Sequence, residues 1–382
     1  MKKRIAILGA TGSIGKNTLD ILRKEKERFE PVLFSANSNC KELISLKNEF
    51  PNALTALSLD TEPAATRENL STSGIDFTGR QGLLRAIAAA KANIAVNGIA
   101  GAAGLEPSVA VLNAGTDLAL ANKETIVMAG SIVITMAREK KLNIIPVDSE
   151  HSAVFKLMEA HGRDNIADII LTASGGPFFN YSIEQLKKVS LKETLSHPTW
   201  NMGPKITVDS ASMANKGLEV IEAANLFNFP PEKIKVVIHP QSIVHSMVRL
   251  KNGAVYAQMS KPDMRLPIHE ALTWPETEES AFGSMDFDSL HLSFEKPDLE
   301  KFPMLGLAYE ALNGGSRLSV AYNAANEIAV EAFFCGKISF LEIPRIVEYV
   351  LEESRSIKAE EETIEGILAL DRNAREKAKS YL

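Results

Sequence analysis

The chain has 382 residues, of which 24% are charged and 45% hydrophobic, with a formal net charge of −6. At about 150 residues per domain, that length predicts two or three domains with apolar material for more than one core. The mild acidic excess excludes broad nucleic-acid binding. A membrane helix is excluded too: the longest stretch without Asp, Glu, Lys or Arg, Ile169–Ile183, is broken by Gly175, Gly176 and Pro177 and falls short of about 20 residues. The apolar run Ile5–Leu8 after the basic start is too short for a signal peptide, and Cys40 and Cys335 are too few for a disulfide framework or a Cys-rich metal site. A cytoplasmic, soluble, multidomain protein is expected.

In chain order, the first 150 residues repeat a short apolar run, a polar turn and a helical stretch. Strands are expected at Ile5–Leu8, Val32–Phe34, Ile94–Val96, Leu118–Leu120 and Ile144–Val147. Helices are expected at Thr18–Lys26, Leu83–Lys91, Pro107–Asn113 and Glu124–Lys140. This alternation predicts a doubly wound parallel α/β sheet of Rossmann-like type over 1–148, with ligands beyond the carboxyl ends of its strands. From 149 to 275 the pattern turns α+β, with strands at Asp168–Thr172, Lys235–Ile238 and Ala254–Met259. Residues 276–300 lack a period and read as a linker. From 301 to 382 the chain reads as a helical bundle, with helices at Ser319–Cys335, Ile343–Glu353 and Glu360–Lys379.

Gly9-Ala10-Thr11-Gly12-Ser13-Ile14-Gly15 joins the first strand to the first helix. Glycines there permit a tight turn, and the helix N-terminus offers unpaired N–H groups to a pyrophosphate. After the second strand come Ser35, Ala36, Asn37, Ser38 and Asn39, without the acid an NAD ribose site uses; Lys41 is the nearest cation. NADP is favoured over NAD.

Asp148 and Glu150 stand two apart at a strand end, where extended backbone points both carboxylates the same way, toward a cation such as Mg²⁺ or Mn²⁺. Asp209 to Glu219 reads as one helix with a Ser or Asp cap. It presents Asn215, Lys216 and Glu219 on one face, suited to a metal and a phosphate or equally to a surface salt bridge. Ser174-Gly175-Gly176 offers a hydroxyl and free amides to an anion, or is a simple turn. His197 opens a loop, with Trp200, Met202 and Gly203 before Pro204, that either closes over a ligand as a lid or packs locally. The other histidines lack metal-ligand spacing and read as core or surface residues.

Together GATGSIG, ANKET, PVDSEHSA, TASGGPF, HPTWNMGPKITVDSASMANKGLE and KPDMRLPI, running in that order from Gly9 to Ile268, resemble the 1-deoxy-D-xylulose 5-phosphate reductoisomerase family. The resemblance implies a homodimer that rearranges a ketose phosphate to a branched aldehyde and reduces it with NADPH to 2-C-methyl-D-erythritol 4-phosphate. It further implies a divalent cation (Mn²⁺, Mg²⁺ or Co²⁺) held by Asp148, Glu150 and Glu219, and catalytic roles for Lys123, Glu150 and His197. Substrate contacts are implied for Ser149, Glu150, Ser174, His197, Trp200, Met202, Ser210, Asn215, Lys216 and Glu219. Cofactor contacts are implied for Thr11, Gly12, Ser13, Ile14, Ala36, Asn37, Ser38, Asn122, Glu124 and Gly203. At Asn37 and Ser38 the chain departs from relatives that carry Lys or Arg. A semialdehyde or homoserine dehydrogenase would share the first domain but not the two separated acidic motifs. A non-enzymatic dinucleotide sensor would need a partner-binding module.

Overall fold

The computed structural model describes residues 1–59, 74–200, 202–283, 285–356 and 362–382. Asn201 of the expected lid, Ser284 of the expected linker and Glu360 at the expected start of the last helix lie outside them. Two compact units are interleaved along the chain: Met1–Asn122, Val133–Asp148 and Asp263–Phe282 form one, and Lys123–Ile132, Ser149–Pro262 and Gly283–Leu382 the other.

The first unit is built on seven strands, β1 (Lys3–Leu8), β2 (Phe29–Ala36), β3 (Leu54–Leu57), β4 (Phe77–Thr78), β5 (Ile94–Asn97), β6 (Asp117–Leu120) and β7 (Ile144–Pro146). They run in the order β4-β3-β2-β1-β5-β6-β7, every pair parallel. This is the expected doubly wound sheet, with β3 and β4 added beyond the strands legible in the sequence. Ile5 to Leu8 are buried without alternation, as a parallel strand covered on both faces requires. The helices between strands are α1 (Ser13–Lys24), α2 (Cys40–Glu49), α3 (Gly79–Ala90) and α4 (Leu105–Asn113). In α1, Gly15, Thr18, Leu19, Ile21 and Leu22 form the buried stripe, at helical spacing. Strand order reverses between β1 and β5, which places a ligand crevice beyond Leu8 and Asn97. Helix α5 (Lys123–Lys140) starts in the second unit and ends in the first, with one non-helical residue, Ala129, inside it.

The second unit opens with α6 (Ser149–His161) and carries a four-stranded sheet of β8 (Ile166–Ala173), β9 (Ile234–Ile238), β10 (Val244–Leu250) and β11 (Val255–Met259). Its order is β11-β10-β8-β9, antiparallel except between β8 and β9. Between β8 and β9 lie two single-turn helices, α7 (Ile183–Leu186) and α8 (Leu191–Thr194), each fixed by a capping box, then α9 (Pro204–Ala211) and α10 (Ala214–Phe227).

Helix α11 (Arg265–Thr273) returns to the first unit, where Arg265 reaches Asp20 of α1 at 2.7 Å and His269 reaches Glu25 at 2.9 Å. Between 276 and 300 the described residues hold no helix; Glu295 pairs with Ile238 as an isolated bridge. The chain ends in the expected helical bundle, α12 (Pro303–Asn313), α13 (Ser316–Phe334), α14 (Glu342–Arg355) and α15 (Ile364–Tyr381). Helix α14 buries Ile343, Ile346, Val347, Val350 and Leu351 as one stripe, each such side chain contributing about 1.5–3 kcal/mol. Helix α13 is buried nearly all round, and its Tyr322 donates to the Met304 carbonyl at 3.0 Å. Gly217 of α10 faces this bundle; a Cβ there would lie 2.5 Å from the Tyr322 hydroxyl and 2.8 Å from Ala308.

Candidate active site

In the first unit the glycine turn follows β1. Gly9 has φ +81°, a conformation L side chains rarely adopt, and its amide donates to Ser35 Oγ at 3.1 Å. A Cβ on Gly15 would meet the Ala10 carbonyl oxygen at 2.4 Å, so only glycine lets α1 start this close to the turn. Gly12 caps α1 without a side-chain hydrogen bond, and the first turn carries no acidic residue. The helix therefore presents backbone N–H groups at its positive end, beside Thr11, Ser13 and Ile14. At the end of β2, Ala36 is buried, and Asn37 and Ser38 are exposed in the turn; Asn37 Oδ1 accepts from Ser58 at 3.3 Å. Asn122 uses its side-chain amide on the carbonyls of Ile99 and Gly101, at 2.7 and 2.9 Å, and so fixes the loop after β5.

The expectation that Asp148 and Glu150 lie on extended backbone is corrected. Strand β7 ends at Pro146 and α6 begins at Ser149, so Glu150 stands in the first turn of a helix and Asp148 just ahead of it. The expected single helix from Asp209 to Glu219 is also two. Met213 adopts φ +66° between α9 and α10, and the second helix starts after it, with Ser212 Oγ accepting the Ala214 N–H at 3.3 Å. Asp209 instead lies buried in α9. The reason is local: a left-handed residue breaks the helical path, and a methionine there carries no turn signature.

The shared face of Asn215, Lys216 and Glu219 is present, and it is buried rather than a surface ion pair. Glu219, 1% exposed, receives Lys123 Nζ at 3.0 Å and Asn215 Nδ2 at 2.5 Å on Oε1, and Lys216 on Oε2. Lys216 Nζ also lies 3.2 Å from Glu150 Oε1, and Ser149 donates to Glu150 Oε2 at 2.8 Å. Lys123 Nζ donates to Asn215 Oδ1 at 2.8 Å. One ammonium thus spans two carboxylates, from α6 and α10, that face a common point. Two convergent carboxylates with hydroxyl and amide oxygens form a hard-oxygen donor set, which fits Mg²⁺ or Mn²⁺. Beside them His151, fully buried, lies 3.1 Å from the Glu219 carbonyl and stacks on Phe227.

A second cluster gathers Ser174, His197 and Ser210. His197 Nδ1 accepts the backbone N–H groups of Thr199 (3.1 Å) and Trp200 (2.9 Å). The ring proton therefore sits on Nε2, which faces Ser174 Oγ at 3.0 Å and Ser210 Oγ at 3.1 Å. Burial pushes the His197 pKa down to about 4, so the ring is neutral at physiological pH. Gly176 donates to Ser174 Oγ at 3.2 Å, and a Cβ on Gly176 would lie 2.8 Å from the Ser210 carbonyl, so the two loops touch backbone to backbone. The seryl hydroxyls accept these bonds and keep their own protons for an anion. Trp200 and Met202 are half-buried, Trp200 with its ring 6.1 Å from that of His245.

Sequence reasoning missed Lys205. Its Nζ lies 2.9 Å from Glu124 Oε1 and 2.7 Å from Asp209 Oδ2. Asp209 also accepts from Asn326 of α13 at 2.9 Å. The one available signal was the i, i+4 spacing of Lys205 and Asp209.

A family model described as 1-deoxy-D-xylulose 5-phosphate reductoisomerase matches residues 5–130, and models of the C-terminal domains of that enzyme match 144–227 and 259–377. A 1-deoxy-D-xylulose 5-phosphate reductoisomerase of Treponema denticola is 48% identical over 358 residues, 94% of this chain and 92% of the relative. The Zymomonas mobilis enzyme, solved in complex with NADPH, superposes with a TM-score of 0.90 at 39% identity, covering 100% of this chain and 99% of the other. A reductoisomerase solved with NADPH, fosmidomycin and magnesium gives a TM-score of 0.92 at 39% identity, over 99% and 98%. With family models running from residue 5 to 377 and a relative this similar over nearly its whole length, the chain belongs to the 1-deoxy-D-xylulose 5-phosphate reductoisomerase family.

Proposed function

We propose that this protein rearranges 1-deoxy-D-xylulose 5-phosphate and reduces the product with NADPH to 2-C-methyl-D-erythritol 4-phosphate, a step toward isoprenoid precursors. The observation that carries the reading is Glu219, a buried carboxylate that shares the Lys216 ammonium with Glu150 and also receives Lys123. Asp148, Glu150 and Glu219 would hold the divalent ion, which supplies Lewis-acid stabilisation of a developing oxyanion when bound. Lys123 and Lys216 offer ammonium protons to substrate oxygens on the same side, and Ser149 orients the Glu150 carboxylate.

Ser174, Ser210 and the Nε2–H of His197, with Asn215 and Lys216, would bind the phosphate. Held remote from the bonds that change, it orients the carbon skeleton and lets Trp200 and Met202 close over it. The glycine turn would take the pyrophosphate through Thr11, Gly12, Ser13 and Ile14. Ala36, Asn37, Ser38, Asn122, Glu124 and Gly203 are the remaining cofactor contacts. Functionally, 1–148 would serve the cofactor, 149–275 the metal and substrate, and 301–382 would support them after the 276–300 linker.

We also infer a cytoplasmic homodimer. Among the described residues no helix is long and apolar enough to cross a membrane. Strand β11 is an edge strand, with Val255 and Tyr256 exposed by 48% and 43%, and a second copy could pair with it. NADPH oxidation with 1-deoxy-D-xylulose 5-phosphate, with and without Mg²⁺ or Mn²⁺, tests the reaction: loss of absorbance only with metal is expected, and none under either condition refutes it. Light scattering should give the mass of two chains.

A further inference from the structure

Three charged side chains outside the substrate contacts form a clamp, with the side chain of Lys205 itself 23% exposed. Lys205 Nζ, on α9, holds Glu124 of α5 at 2.9 Å and Asp209 of its own helix at 2.7 Å. The side chains of Glu124 and Asp209 are 8% and 1% exposed. Each carboxylate is the sequence neighbour of a residue the site uses: Glu124 follows Lys123, and Asp209 precedes Ser210. Asn326 ties Asp209 to the bundle at 2.9 Å, and the wider network continues through Glu327, which receives Asn323 at 3.1 Å and Arg375 at 2.6 Å.

We propose that Lys205 is a positioning residue that fixes the distance between the Lys123–Glu219 cluster and the Ser174–His197–Ser210 cluster. The proposal rests on the function proposed above, in which the two clusters grip opposite ends of one sugar phosphate. The physical argument is charge. Burial alone works against the Lys205 ammonium, but the carboxylates of Asp209, Glu124 and Glu327 outweigh it and hold its pKa above the ordinary value. Without that ammonium the two carboxylates would lose the cation they share and repel each other, and the first turn of α5 would move away from α9. Displacing reacting groups by about 1 Å is enough to cost on the order of 10²-fold in turnover. Lys205 itself needs no contact with substrate.

The test is steady-state kinetics on the full chain, with Lys205→Met and Lys205→Arg compared at saturating Mg²⁺ and NADPH. The Lys205→Met variant is expected to lose roughly 30-fold or more in kcat, while its NADPH dissociation constant, read by fluorescence titration, stays within about threefold. Lys205→Arg keeps the charge and is expected to recover most of that loss. A merely structural lysine would lower the melting temperature and the folded fraction, leaving kcat per folded molecule unchanged; that result overturns the proposal. So does an equal loss in both variants.

If Lys205→Met does not fold, Asp209→Asn, which opens one side of the clamp, carries the test. A kcat reduced about fivefold with unchanged NADPH affinity supports the clamp, and unchanged kcat or weakened NADPH binding overturns it. The wild-type protein serves as control: if it fails to oxidise NADPH with 1-deoxy-D-xylulose 5-phosphate, the functional reading fails. If it turns over and the Lys205 variants match it, only the clamp fails.

Discussion

His197 Nδ1 accepts the backbone N–H of Trp200 at 2.9 Å, so the imidazole orders the loop that follows it while its other nitrogen faces Ser174 and Ser210. This arrangement requires a neutral ring. The pKa is lowered by burial from the ordinary 6.5 to about 4. Between those values the unfolded chain binds a proton that the folded chain refuses. The contribution of His197 to stability is therefore complete above pH 6.5 and drains as pH falls toward 4. NMR titration should show the His197 ring unprotonated until well below pH 6, with the loop amides of Thr199 and Trp200 shifting together with it. A midpoint near 6.5 would remove the basis for this assignment.

Glu219→Gln should abolish metal-dependent turnover, by about 10²-fold or more, and leave NADPH binding nearly intact. The amide is a weaker ligand for a hard cation and removes the charge that Lys123 and Lys216 balance. Initial rates against Mg²⁺ concentration, with an NADPH titration of the same protein, separate the two effects. Wild-type turnover at saturating Mg²⁺ would sink the ligand role.

Gly15→Ala places a methyl group 2.4 Å from the Ala10 carbonyl oxygen, a backbone atom that cannot swing away. Overpacking of this kind costs about 1–3 kcal/mol. Thermal unfolding should show that loss. NADPH titration should show weaker binding as well, because the shift moves the amides at the start of α1.

Asn37 and Ser38 are exposed where a 2′-phosphate partner would be expected. Asn37→Arg should raise the ratio of kcat/KM for NADPH over NADH by roughly tenfold, since a guanidinium makes paired, charge-assisted bonds to phosphate. The wild-type ratio should already favour NADPH. An arginine that leaves the ratio unchanged would show that this turn does not read the ribose.

The parallel sheet and the helical C-terminus were legible because their signals are local. Ile5–Leu8 is an unbroken apolar run ending in glycines, and Ile343 to Leu351 repeats at helical spacing. Glu150 was legible as a residue but not in its setting, since nothing in Val147-Asp148-Ser149 distinguishes a strand end from a helix start two residues later. The break at Met213 was hidden for a related reason: its backbone is left-handed at a position with no glycine or asparagine to announce it. Lys205 carried only its i, i+4 spacing to Asp209. Its meaning comes from Glu124, a residue 81 positions away.

The interleaving of the two units has a consequence for how the protein is made. Helix α11, with Arg265 on Asp20 and His269 on Glu25, belongs to the same compact unit as β1 and α1. As the chain leaves the ribosome, the first unit must wait for residues near 282 before it can close, and by then the whole of the second unit's sheet has been synthesised while its helical bundle has not. Translation order thus ties closure of the first unit to prior synthesis of the segment that carries Glu150 and Glu219.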